Sequence, residues 1–165
     1  MHASSFKLMQ IGVASYCDPG RDMVVMEFGS YGYDVSYRKL FVSQPRWRYV
    51  GVDGCPGPNV DIVVDWDFKW ESIPDNSYDL VVTGQTMEHV KAPWKMAQAI
   101  YRVTKPGGMV MVIAPWKWDP HPSPIDCWRV LPDGMIYVMS EVAGFEKIEC
   151  GMFETDTFFF GKKTQ

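Results

Sequence analysis

Five short runs of almost continuously apolar residues, at Val24–Phe28, Tyr49–Asp53, Val60–Val64, Asp79–Thr83 and Met109–Ala114, constrain this chain more than any other feature. A strand with one wet face alternates apolar and polar residues, whereas a run that is apolar throughout belongs to a sheet covered on both faces. Segments of helical character separate the runs. In the clearest, residues 93–103, Met96, Ile100 and Val103 recur at helical spacing, and Lys105-Pro106-Gly107-Gly108 supplies a stop. Strands that alternate with helices predict a parallel sheet. The pattern changes at the C-terminal end, after a helix predicted over 132–143 and a turn at Gly144. There the runs 145–150 and 157–161 stand too close together for a parallel crossover, so they predict an antiparallel hairpin.

A chain of 165 residues suits one domain, here 1–165 with 1–23 as an N-terminal cap segment. At that size about 70% of the unfolded surface is buried on folding. The 47% apolar content, with 7 Trp, 8 Tyr and 9 Phe, excludes disorder, and the apolar runs are too short to cross a bilayer. Polar residues interrupt the stretch 6–14, which lacks a small-residue cleavage site and is not read as a secretory signal, so the expected location is cytoplasmic. A net charge of −4 with pI near 5.3 argues against nucleic acid as a partner, because phosphate backbones need clustered Lys and Arg. Cys17, Cys55, Cys127 and Cys150 are far apart and form no close Cys/His pairs, so reduced thiols and no metal are expected.

Chemistry concentrates where the runs end. Val24-Val25-Met26-Glu27-Phe28-Gly29-Ser30-Tyr31-Gly32-Tyr33-Asp34 passes from a strand through an acid and a glycine into a polar turn, and a helix-like segment opens at Val35-Ser36-Tyr37-Arg38. Asp53 closes the second run about twenty residues past those glycines, the interval of an acid that hydrogen-bonds a ribose. Together the two ends predict an adenosine-type ligand. A dinucleotide is disfavoured, because its pyrophosphate needs the G-x-G-x-x-G spacing and Gly29 with Gly32 does not supply it.

The order of these segments resembles the class I S-adenosylmethionine-dependent methyltransferases, in the small-molecule branch called methyltransferase type 11. Glu27-Phe28-Gly29 looks like the family's first motif, and Ile73-Pro74-Asp75-Asn76-Ser77-Tyr78-Asp79-Leu80-Val81 resembles its lead into the fourth strand. Gln85-Thr86-Met87-Glu88-His89-Val90 and Lys105-Pro106-Gly107-Gly108 resemble the segments that follow, and His121 to Arg129 is similar to a stretch after strand five in one subgroup. The resemblance implies a Rossmann-like three-layer α/β sandwich, with a mostly parallel seven-stranded sheet and a C-terminal antiparallel hairpin. It also implies S-adenosylmethionine as cofactor. Tyr31 and Tyr33 stand where the family usually has further glycines.

On that resemblance, Glu27, Phe28, Gly29, Ser30 and Tyr31 form the cofactor turn, with Glu27 facing the methionine ammonium. Asp53, followed by Gly54, takes the ribose hydroxyls. Asp65 and Trp66 flank the adenine, with Asp67 and Phe68 as the alternative pair. Gln85, at the sheet's carboxyl edge, meets the amino acid end of the cofactor or the acceptor. The aromatic stretch from Trp116 through Asp126, Trp128 and Arg129 is the expected substrate side, and Arg129 either holds an acidic group or pairs with Asp126. His121 is the first candidate for a general base and His89 the second. Two readings remain: methyl transfer to an oxygen or nitrogen of a small-molecule acceptor, or a catalytically silent partner subunit of the same fold. Phe6, Leu8 and Tyr16 offer apolar surface for a homodimer.

Overall fold

Strand β1 (Met23–Phe28) lies at the middle of the sheet and is buried from Val25 onward, so the fold builds outward from it. In the computed structural model, which describes residues 3–32, 36–122 and 125–164, one seven-stranded sheet has the order β3-β2-β1-β4-β5-β7-β6. Its other strands are β2 (Trp47–Asp53), β3 (Ile62–Val63), β4 (Tyr78–Gly84), β5 (Thr104–Pro115), β6 (Glu146–Phe153) and β7 (Asp156–Lys162). Strands β1 to β5 pair in parallel and β7 runs antiparallel to both β5 and β6, as the sequence predicts.

Two apolar layers explain why the strands read as unbroken runs. Met26, Phe28, Val81, Val110 and Val112 face one layer with Trp70, Met96, Ile100, Met135 and Met139. Their strand neighbours Val25, Leu80, Val82, Met111 and Ile113 face the other, with Leu8, Met9, Phe41 and Phe160. Successive side chains point to opposite faces, so burying both faces makes every position apolar. Helix α3 (Pro93–Val103) covers the first layer, as does α4 (Pro132–Ile136) with its π-helical continuation Tyr137–Val142. Helices α1 (Ala3–Tyr16) and α2 (Arg38–Val42) cover the second.

Four features depart from the sequence reading. The third strand shrinks from Val60–Val64 to two residues, because Asn59 sits at a left-handed φ of 66° and the Asp61 carboxylate takes the Gly51 amide at 2.8 Å. Lys105–Gly108 does not separate helix from strand. Thr104 already pairs with Tyr78, its hydroxyl capping the Ile100 carbonyl at 2.7 Å, and the four residues bulge out before pairing resumes at Leu80 and Met109. The cap segment is largely helix α1, where Gly12 lets Phe160 close to 2.9 Å of where a Cβ would stand. Finally, Phe6 stacks on Tyr37 with ring centroids 6.3 Å apart and Tyr16 meets Phe160 at 5.9 Å. Leu8 is buried, so these three side chains pack within the chain instead of presenting a seam to a second copy.

All four cysteines are free thiols, and burial raises the Cys17 thiol to about 11. Among the described residues no helix is long and apolar enough to cross a membrane.

Phe28 is fully buried and meets Trp70 at 4.8 Å between centroids, with Phe68 at 5.9 Å and Trp66 at 6.0 Å. Phe28→Ala should therefore cost about 3–5 kcal/mol. Urea unfolding should show a lower midpoint at unchanged slope.

Candidate functional site

The pairing of β1 with β2 and β4 brings three strand ends level, since Phe28 pairs with Val52 on one side and Thr83 on the other. The strand order reverses between β1 and β4, and such a switch point opens a crevice beyond the carboxyl ends. Gly29 turns the chain there at φ 80°, in the left-handed region, and a Cβ on it would fall 2.0 Å from the Thr86 hydroxyl. Glycine is thus required twice over. Ser30 follows, buried, its hydroxyl without a hydrogen-bond partner. Tyr31 donates its amide to Asp53 at 3.1 Å, while Tyr33 lies outside the described residues.

Glu27 is buried beneath this turn. Its carboxylate accepts from Tyr49 at 2.6 Å, Ser36 at 2.9 Å and the Tyr37 amide at 3.3 Å, and burial raises it to about 7 against those donors. The group expected to face an ammonium is thus also the anchor of the β1–α2 connection. Phe28 has its side chain wholly in the core, so it can meet a ligand only through its backbone.

Asp53 is nearly buried at the end of β2, accepting from Tyr31 on one oxygen and from Cys55 at 3.0 Å on the other. Each oxygen keeps a second lone pair for a ligand hydroxyl. The Trp66 ring lies against Gly54 and the Tyr31 ring against Gly57, so close that neither glycine has room for a Cβ. A cavity of about 450 Å³ opens beside them, lined by Trp66, Asp67, Phe68, His89, Val90, Lys91 and Ile125. Asp65 is not in its wall. It accepts the Asp67 amide at 3.2 Å, whereas Trp66 of the first expected pair and both Asp67 and Phe68 of the alternative line the cavity.

Gln85 stands just past β4 at φ 56°, as expected. Its amide nitrogen donates to Asp156 at 2.9 Å and its carbonyl oxygen is buried without a partner. Asp156, fully buried at the start of β7, also accepts from Ser4. Nothing in the sequence marked Asp156, because its role comes from a hairpin folding back beside β5.

Beyond Gln85, a 3₁₀ turn at Met87–His89 carries Glu88, which is fully buried with neither carboxylate oxygen hydrogen-bonded. Burial raises it to about 8. The His89 ring has Nδ1 at the Ile125 carbonyl and Nε2 3.7 Å from Glu88. His121 packs edge-on against His89 with centroids 5.0 Å apart, its Nδ1 3.0 Å from the Asp119 carbonyl. The two histidines proposed separately therefore stand together. Glu88 was legible only as a lone acid between Met87 and His89.

The loop carrying His121 is tied by Asp126, whose carboxylate receives Arg129 at 2.6 and 2.8 Å and the His121 amide at 2.8 Å. The guanidinium beside it holds Asp126 far below the usual carboxylate range. Arg129 also donates to the carbonyls of Trp118 and Asp119, which decides between its two sequence readings: it pairs with Asp126. Ser123 and Pro124 of this segment lie outside the described residues. Trp128 donates to the Val90 carbonyl at 2.7 Å and meets Trp94 edge-on. Trp116 is drawn instead to the β6–β7 turn, donating to the Glu154 carbonyl at 3.0 Å.

Residues 31–112, about half of the chain, match a family described as "Methyltransferase domain". An uncharacterized methyltransferase of Mycobacteroides abscessus is 38% identical over 71 residues, which is 43% of this chain and 22% of the relative. The chain thus matches about a fifth of that relative's length. Among solved structures, Burkholderia thailandensis 1,6-didemethyltoxoflavin-N1-methyltransferase, bound to 1,6-didemethyltoxoflavin and S-adenosylhomocysteine, superposes with TM-score 0.76 at 13% identity, covering 98% of this chain and 79% of that one. The [4+2]-cyclase SpnF superposes with TM-score 0.75 at 14% identity, covering 96% and 80%. At these identities the structural likeness is one of fold.

The Glu27 carboxyl holds its proton to about pH 7 when folded but only to 4.5 in its ordinary state. Folding therefore takes up a proton between these values. This group's contribution to stability is greatest below pH 4.5 and is lost by pH 7, a fall of roughly 3 kcal/mol. In urea titrations across that range, Glu27→Gln should flatten the pH dependence relative to the unmodified chain. An unchanged slope would show that Glu27 is ionised throughout.

Proposed function

For this chain, which belongs to the class I S-adenosylmethionine-dependent methyltransferase family, we propose methyl transfer to an oxygen or nitrogen of a small-molecule acceptor. The observation that carries the proposal is a set of buried polar atoms without partners around the switch-point crevice, namely the Ser30 hydroxyl, the Gln85 carbonyl and the Glu88 carboxylate. Buried polar groups left unpaired cost about 1–3 kcal/mol each, and a polar ligand in the crevice offsets that cost.

The residues present fit the cofactor. Asp53 takes the ribose hydroxyls, Gln85 and the Glu27–Gly29 turn face the amino acid end, and Trp66 with Asp67 or Phe68 borders the adenine. Bound there, S-adenosylmethionine supplies an electrophilic methyl group on sulfur. The chain's own share is to place an acceptor in line with that methyl, and positioning alone can lower a barrier by several kcal/mol. On the acceptor side stand His89, Val90 and Ile125 of the cavity wall, with the Trp128 ring behind them on the Val90 carbonyl. For a hydroxyl acceptor His121 takes the proton: its Nδ1, 3.0 Å from the Asp119 carbonyl, carries the hydrogen and leaves Nε2 as the base.

A second reading, a silent partner subunit, draws support from the aromatic rings lying on Gly54 and Gly57, beside the ribose acid.

Calorimetric titration with S-adenosylhomocysteine tests the first reading. The unmodified chain should bind, and Asp53→Ala should weaken binding at least about tenfold, the worth of one charge-assisted hydrogen bond. With an accepted substrate in hand, His121→Ala should lower turnover by about 10²–10⁴-fold at unchanged S-adenosylhomocysteine affinity. Binding without turnover across a broad acceptor panel would favour the silent subunit.

A further inference from the structure

Glu88 stands apart from every other buried carboxylate among the described residues. Glu27 has three donors, Asp53 two, Asp156 at least two, and Asp126 is clamped by Arg129. Glu88, fully buried, has no hydrogen bond to either oxygen. A carboxylate in that position needs a proton or a cation to be tolerable.

The two rings beside it supply no proton in their neutral form. Nδ1 of His89 is directed at the Ile125 carbonyl and Nδ1 of His121 at the Asp119 carbonyl. A carbonyl only accepts, so each Nδ1 carries the hydrogen and each Nε2 is left as a lone pair. One nitrogen from each ring and one Glu88 oxygen all lie within 4.8 Å of one another. These side chains thus gather at a partly exposed point backed by the buried Glu88, and the groups behind the rings are those that orient metal-binding histidines. A backbone carbonyl holds His89, and a carbonyl and the Asp126 carboxylate, 3.5 Å from Nδ1, hold His121.

We infer that Glu88, His89 and His121 form a site for a single divalent first-row transition ion, with open coordination positions facing the aromatic cavity. Two imidazoles and a carboxylate suit zinc, manganese, iron or cobalt better than magnesium or calcium, which prefer oxygen ligands throughout. Ligand atoms on such an ion stand about 3 Å apart, given bonds of roughly 2.0–2.2 Å. Loading therefore draws the three side chains together, with the His121 ring, more exposed than that of His89, having the room to turn. His89 also lines the cavity of about 450 Å³, so water or an acceptor oxygen in that space can complete the coordination shell. With His121 engaged as a ligand the ion takes the place of that ring as the deprotonating agent, since it lowers the pKa of a bound hydroxyl, which narrows the acceptor to an oxygen nucleophile. This last point rests on the methyl-transfer reading; the metal site itself does not.

Chelator-stripped protein should be titrated with Co²⁺, followed by calorimetry and by visible absorption of the bound ion. One ion per chain should bind at micromolar or tighter concentration, with the intense absorption of a low-coordinate nitrogen–oxygen site. Glu88→Gln, nearly isosteric, and His121→Ala should each weaken binding at least about tenfold. Should one variant fail to fold by circular dichroism, the other decides. Cobalt that binds only at millimolar concentration, or whose affinity survives both substitutions because it sits on Cys55 or Cys127, would overturn the site and leave Glu88 as a protonated acid. S-adenosylhomocysteine binding to the same stripped protein is read separately, so loss of the cofactor reading and loss of the metal site give different results.

Discussion

The crevice depends on how the chain leaves β1. Gly29 turns at φ 80° with Thr86 pressed against its α-carbon, and the chain then runs across the end of β2, where the Gly29 and Ser30 amides donate to the Val52 carbonyl. Any larger residue would pay twice, in backbone strain and in displacing Thr86, which anchors the turn that carries Glu88 and His89. One close contact therefore fixes the cofactor turn and the second polar cluster relative to each other. The level ends of β1, β2 and β4 do the rest, setting Asp53 and Gln85 along the same edge.

Much of the fold was legible because burial on both faces writes itself into the sequence as unbroken apolar runs. The five parallel strands and α3 were readable for that reason, and the terminal hairpin because its connection is too short to cross over. Helix α1 was not, since its inner face mixes Ser4, Ser5 and Gly12 with Leu8 and Met9, and those small residues are there to let Phe160 and Asp156 approach. Helix α3 does end at Val103, but the strand after it starts at Thr104, earlier than Met109, because glycine and proline mark a bulge as readily as a loop. At the site, residues attached to strand ends were readable by position: Gly29, Asp53 and Gln85. Contacts made by loops across the fold were not. The His89–His121 pair and the return of Asp156 beneath Gln85 each join segments far apart in sequence, while the Asp126–Arg129 pairing, three residues apart, was one of the two readings the sequence offered.

The acids along this edge fall into two kinds. Asp53, Asp126 and Asp156 each accept hydrogen bonds from fixed donors, so the cost of burying them is met within the chain. Glu27 and Glu88 are pushed towards neutrality, to about 7 and 8. They sit on opposite sides of the crevice, one under the β1 turn and one beyond β4. An ordinary packing arrangement would replace such groups with apolar residues at no loss of stability. Retaining two of them where strand ends diverge fits a place whose charge is completed by what binds.

The rings over Gly54 and Gly57 bear on whether the crevice is open to a nucleoside. Tyr31 is 51% exposed and Trp66 41% exposed, so each buries only part of its surface where it lies. Releasing about 100 Å² of apolar contact costs roughly 2.5 kcal/mol. Stacking against an adenine returns a comparable amount. The floor behaves differently: Phe28 is wholly buried and locked between Phe68 and Trp70, where displacement would open the core. A rigid base under a rim that can swing for about the energy it regains is what a binding site requires, and a plug would need its closing rings buried as deeply as Phe28 is. Tyr31, which stands where the family's turn has a glycine, thus lays a half-exposed ring over the rim and leaves the buried floor beneath it intact.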